Sequence, residues 1–202
     1  MTSERNTVLR SLHDVGLAAW FGGSLMGAVG LNGAAKHHSR SWKENASLAS
    51  SGWARWTPVS AAAISMHLVG AGGLLGANAA RVATQQGVAS STLAKTVLTG
   101  AALAVTAYAR TLGKKIELVS VGLPQDAEDA EGRPYDTVKA ERQLSYAQWA
   151  VPALTGGLLI LNALHGEQQR PTSQLRDMWQ RASPLAPHVP HVQDVQNWYR
   201  TR

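Results

Sequence analysis

The stretch Val59 to Ala80, VSAAAISMHLVGAGGLLGANAA, limits what this chain can become more than any other part of it. It carries no formal charge and holds one histidine, His67. About 20 apolar helical residues cross the hydrocarbon core of a bilayer, and this stretch is long enough to do so. A soluble helix keeps a polar face, and this stretch has none. It reads as the central transmembrane helix of a small helical membrane protein.

The averages of the whole chain hide this. A mean hydropathy of -0.13 and 45% hydrophobic residues would suit a soluble protein. Charges crowd into 36–55, 110–142 and 165–202, and leave 15–35 and 57–80 empty. Apolar spans joined by polar connections give the same mean. We therefore expect an all-α, integral membrane four-helix bundle. A polar N-terminus, 1–13, precedes spans at about 14–35, 58–80, 95–112 and 147–165. A charged loop, 113–146, separates the last two spans, and a polar tail with prolines occupies 166–202.

The third span is the shortest, with only Thr96 to Ala109 between Lys95 and Arg110. Both end residues can snorkel, burying their stems and keeping their charges at the interface. The helix can also continue as an amphipathic piece through Lys114, Lys115 and Glu117. The short third span and the moderate mean hydropathy also keep a soluble helical bundle open as an alternative.

The chain has no cysteine, which excludes disulfides, thiolate metal sites and cysteine catalysis. Arginine outnumbers lysine 13 to 6 in a chain rich in Ala and Gly, as in bacterial genomes of high GC content. A bacterial cell membrane is the expected location. The net charge of +6 does not point to nucleic acid, because no basic run or aromatic-interleaved patch accompanies it. Lys and Arg flanking membrane spans, where they meet lipid headgroups, explain the charge with less. Four spans put both termini on one side of the membrane. Lys and Arg are spread too evenly over the two sides to orient the chain. The cytoplasmic side is expected on general prevalence alone.

Small residues spaced by four let helix backbones approach closely in lipid. Gly23 and Gly27 meet that pattern in span one. In span two, Gly72-Gly73-Leu74-Leu75 is followed by Asn78-Ala79. The same block recurs in span four as Gly156-Gly157-Leu158-Leu159 followed by Asn162-Ala163. The repeat admits two tandem helical hairpins, with chance likeness in a Gly- and Leu-rich chain as the alternative. Gly72, Gly73, Gly76, Gly156 and Gly157 are expected to face neighbouring helices. Trp42, Trp53 and Trp56 before span two, and Trp149 at the start of span four, read as interfacial anchors. Pro58 reads as a first-turn residue, where its missing N–H costs nothing.

Histidine in or near a span is a candidate for function. His13, His67 and His165 qualify, with Asn78 and Asn162 as further polar groups. Counted from Pro58, His67 lies about 12–14 Å deep, near the midplane. His13 and His165 then lie at the terminal surface, too far to share a ligand with it. Neither haem nor a metal is expected. A haem held by two opposed histidines lacks the second residue at that depth. A metal held by His13, Asp14 and His165 competes with the plainer reading of these residues as helix ends.

His13, Gly16, Trp20, Gly22 and Gly23 in the first span resemble the opening of the copper-resistance-D-like membrane proteins. The resemblance is confined to this short stretch. It implies a small helical membrane protein from a group linked to copper handling in bacteria.

There is no Gly-x-Ser-x-Gly elbow, P-loop, HExxH or dinucleotide fingerprint. The chain reads as non-enzymatic: an accessory or assembly subunit packing with lipids, other membrane subunits or copies of itself. The alternative is a small transporter or metal-handling protein using His67 or His13/His165.

Overall fold

A computed structural model describes residues 6–84, 86–122 and 137–168. Every regular element in them is helical. The order is α1 (Thr7–Met26), a π-helical turn (Gly27–Leu31), α2 (Asn32–His38), α3 (Trp42–Ala77), α4 (Ala79–Thr84), α5 (Gln86–Ser120) and α6 (Thr137–Gln168). Four stretches are long and apolar enough to cross a membrane: Thr7–His38, Trp42–Ala77, Val88–Ser120 and Thr137–Leu164. The protein is an all-α four-helix bundle and a multi-spanning membrane protein. Contacts divide the chain into one unit, Met1–Leu161, and a second, Asn162–Arg202. Of the second, the described residues are the last turns of α6.

The helices begin earlier and run longer than the apolar runs alone predict. Residues 36–57, expected as a polar connection, are helical except at Ser39–Ser41. The cause is a cap. The Ser41 side chain accepts a hydrogen bond from the Glu44 N–H at 3.2 Å. Glu44 Oε2 accepts one from the Arg40 N–H at 2.7 Å. This is a close variant of the capping box: one first-turn N–H is satisfied by the cap side chain, and the Glu44 carboxylate reaches back to the residue before the cap. Pro58 is thus inside α3 rather than at its start. The Thr57 hydroxyl donates to the Trp53 carbonyl at 2.7 Å beside it.

The charged loop expected over 113–146 is likewise shorter. α5 continues to Ser120 and α6 begins at Thr137; residues 123–136 lie outside the described residues. The connection expected after span two is helical on both sides of residue 85. Asn78 ends α3 with its side-chain amide on the Leu74 carbonyl at 2.8 Å. The expected tail falls outside the description beyond Gln168, as do residues 1–5.

All four long helices meet in one cluster of buried residues: Leu17 and Trp20 of α1, Ala63 of α3, Ala102 of α5, and Val151 and Leu158 of α6. A second cluster joins Leu112 and Ile116 of α5 to Ala140 of α6, with Ala46 of α3 against it. Large apolar side chains such as Val15, Val97 and Ile160 are exposed on the outside, as lipid-facing positions require.

Candidate functional site

With the turn reduced to Ser39–Ser41, α1 and α3 form an antiparallel hairpin folded about Arg40. His13 and His67 are equally distant from Arg40 along the sequence, and the hairpin brings them level. Glycine allows the approach. A Cβ added at Gly16 would lie 2.5 Å from both the Ala63 carbonyl oxygen and the His67 nitrogen. One added at Gly70 would lie 2.6 Å from the Leu9 carbonyl oxygen and 2.7 Å from the His13 Cα. Backbone thus touches backbone on both sides of the histidines.

The two imidazole rings lie with centroids 4.4 Å apart, tilted by 39°. His67 is 1% exposed. Its Nδ1 lies 3.1 Å from the main-chain oxygen of His13. A carbonyl only accepts, so Nδ1 carries the proton and donates. Nε2 then keeps a lone pair, and it is buried without a partner among the described residues. His13 Nδ1 lies 2.8 Å from Asp14 Oδ1, which orients that ring in turn. Trp20, also 1% exposed, has its ring centroid 6.1 Å from that of His67. Its Nε1–H is likewise buried without a partner. The depth argument that separated His67 from His13 is overturned. It counted α3 from Pro58 and α1 from Asp14, whereas the helices start at Trp42 and Thr7.

Elsewhere along the hairpin, large side chains fill the space left by glycine. The Trp56 ring lies against Gly23, the Trp53 ring against Gly27, Leu31 against Gly52 and Leu9 against Gly73. Trp42 and Trp149 are exposed. In the repeated block, Gly73 meets Leu9 and Gly156 meets Phe21, while Gly72 and Gly157, like Gly76 nearby, have no described residue within 4 Å of an added Cβ. The two copies therefore turn opposite members of the Gly-Gly pair to α1. Asn162 and His165 lie in the end of α6, within the second unit, and the His165 side chain is outside the described residues. Among the described residues, no three His, Asp or Glu side chains converge closely enough to hold a metal ion.

At the other end of the hairpin the four helices open around a cleft of about 990 Å³. The π turn shapes one wall. It inserts an extra residue into the helical repeat, the usual effect of such turns, and Asn32 follows it at the cleft. The Asn32 amide donates to Gln148 Oε1 at 2.8 Å, and its oxygen accepts from Trp53 Nε1 at 2.9 Å. Arg110 Nη1 reaches the Trp53 carbonyl at 3.4 Å. One asparagine thus joins α3 and α6 through α2, and α5 closes onto the same tryptophan. The sequence reading missed Gly16, Gly70, Asn32, Gln148 and Arg110 as structural partners.

Fold and site together define a four-helix membrane protein with a closely packed histidine pair and a cleft of mixed polar and apolar lining. No family model, no curated protein and no solved structure matches the chain.

Proposed function

We propose that the protein is a non-enzymatic accessory or assembly subunit of a larger complex in a bacterial cell membrane. The observation that supports this is an uncovered face of α3. Ala62, Ser65, Val69, Gly72 and Gly76 are all exposed, at spacings of three and four. They form one uncharged stripe of mostly small residues. Such a stripe lets a second helix approach closely in lipid, where packing rather than hydrophobicity drives association. The occupant this reading favours is a helix of another membrane subunit.

Purification from native membranes in mild detergent, followed by mass spectrometry, tests it. A membrane protein should co-purify in fixed ratio, and Gly72→Leu/Gly76→Leu should lose it while keeping helicity and thermal midpoint. A lone monomer, or a dimer of identical chains only, would overturn the subunit reading.

The histidine pair favours a second reading, a metal-handling membrane protein. Metal-bound imidazoles commonly donate the other ring N–H to a carboxylate or a main-chain carbonyl. Here His13 Nδ1 lies against Asp14, and His67 Nδ1 against the His13 carbonyl. Elemental analysis of protein purified with added zinc or copper checks it. Bound metal should fall with both His13→Ala and His67→Ala, and metal-free wild-type protein would remove the reading.

A further inference from the structure

The cleft is placed by the charges around it. The apolar run of α5 is bounded at one end by Lys95. Further along the same helix, Arg110 bonds the Trp53 carbonyl, and exposed Arg55 follows shortly after Trp53. A helix rises about 22 Å over the interval from Lys95 to Arg110. With snorkelling at both ends this approaches the roughly 30 Å of the hydrocarbon core. The chain beyond Arg110 and Trp53 therefore forms a helical collar outside the core. It comprises α2, the first turns of α3, the end of α5 and the start of α6.

The cleft crosses that boundary. Its walls include Lys36, Asn45, Lys114 and Glu141 of the collar, and Trp20, Ile64 and Val151 of the bundle interior. It is thus polar where headgroups lie and apolar where acyl chains lie. Among the described residues, five ionisable side chains line it: Lys36, Arg110, Lys114, Glu117 and Glu141. Lys114 and Glu117 pair at 3.3 Å. Lys36 and Arg110 then face one remaining carboxylate, Glu141, and the cleft keeps one net positive charge. Its volume lies at the upper end of small-ligand sites. Basic pockets between membrane helices recognise anionic headgroups.

We propose that this cleft is a headgroup site for an anionic phospholipid carrying a single negative charge. Lys36 and Arg110 receive the phosphodiester, and the start of an acyl chain runs along Trp20, Ile64 and Val151. The site stands independently of the subunit reading, because the α3 stripe from Val69 to Gly76 is not part of it.

The full chain, purified in mild detergent, is titrated with phosphatidylglycerol, phosphatidylcholine or inorganic phosphate, and binding is read by native mass spectrometry and thermal shift. Phosphatidylglycerol should bind about thirtyfold more tightly than phosphatidylcholine, in line with two interfacial cations. Lys36→Gln/Arg110→Gln should reduce it to the phosphatidylcholine level. Lys36→Gln alone, at an exposed residue, should remove part of the preference without disturbing the fold. Lys43→Gln/Arg55→Gln, two exposed cations outside the cleft, should leave it intact. Equal binding of the two lipids, or a preference that survives removal of Lys36 and Arg110, would overturn the proposal. A thermal shift by phosphate alone as large as that by phosphatidylglycerol would also overturn it, in favour of a soluble phosphate ligand.

Discussion

Gly16→Leu will open the α1–α3 hairpin. A Cβ at this position already meets the Ala63 oxygen and the His67 nitrogen at 2.5 Å, and both are main-chain atoms of a helix that cannot turn aside. Over-packing of a tight contact costs about 1–3 kcal/mol for small insertions, and the remaining leucine carbons add to it. The change should remove cooperative unfolding in a denaturant titration followed by circular dichroism. Gly70→Leu should do the same from the opposite helix. Gly72→Leu is the control, since nothing lies within 4 Å of its added Cβ. It should leave the midpoint unchanged or raise it slightly, because glycine is a poor helix former by about 1 kcal/mol against alanine. Similar loss at Gly16 and Gly72 would mean that the close approach is not at the histidines.

Trp53→Ala is the second large effect. The ring fills the space over Gly27, and Nε1 holds Asn32. Truncating a large aromatic at a packed site costs about 3–5 kcal/mol. Trp53→Phe separates the two contributions. It keeps a ring on Gly27 and loses the hydrogen bond, for about 1 kcal/mol. Unfolding of both variants in the same detergent checks the division. A phenylalanine variant as unstable as the alanine one would place the whole effect on the Asn32 bond.

The four spans were legible because lipid-facing helices cannot hide their composition. The empty intervals 15–35 and 57–80 predict the first two directly. The histidine pair was legible in principle but needed a different signal. Ser41-Trp42-Lys43-Glu44 is a helix-start pattern, and reading it shortens the turn to Ser39–Ser41. Symmetry about Arg40 then matches His13 to His67. Apolar length alone, taken from Pro58, leaves them at different depths.

The glycines show the opposite limit. Repetition singled out Gly72 and Gly157, yet neither has a described neighbour within 4 Å of an added Cβ, and nor does Gly76 beside the first copy. Gly16 and Gly70 bring backbone against backbone and stand outside both the repeat and the four-residue spacing. A glycine's role depends on what lies opposite, which one helix's sequence does not contain. Trp53 and Trp56 make the same point. Their position before an apolar run suggests a membrane belt, while the hairpin turns the Trp56 ring onto Gly23 of α1 and the Trp53 ring onto Gly27 of the π turn.

The short turn at Ser39–Ser41 also sets an order of assembly. Every contact between α1 and α3 is available once the chain has been synthesised to Ala77. Pairings close in sequence form before distant ones, because less loop entropy opposes them. The hairpin can thus enter the membrane as a finished wedge, with its glycine seams already filled by Leu9, Leu31, Trp53 and Trp56. α5 and α6 arrive later and close onto a surface that already exists. For α6 that surface includes Asn32 and Phe21, which the hairpin holds in place before any residue of α6 is made.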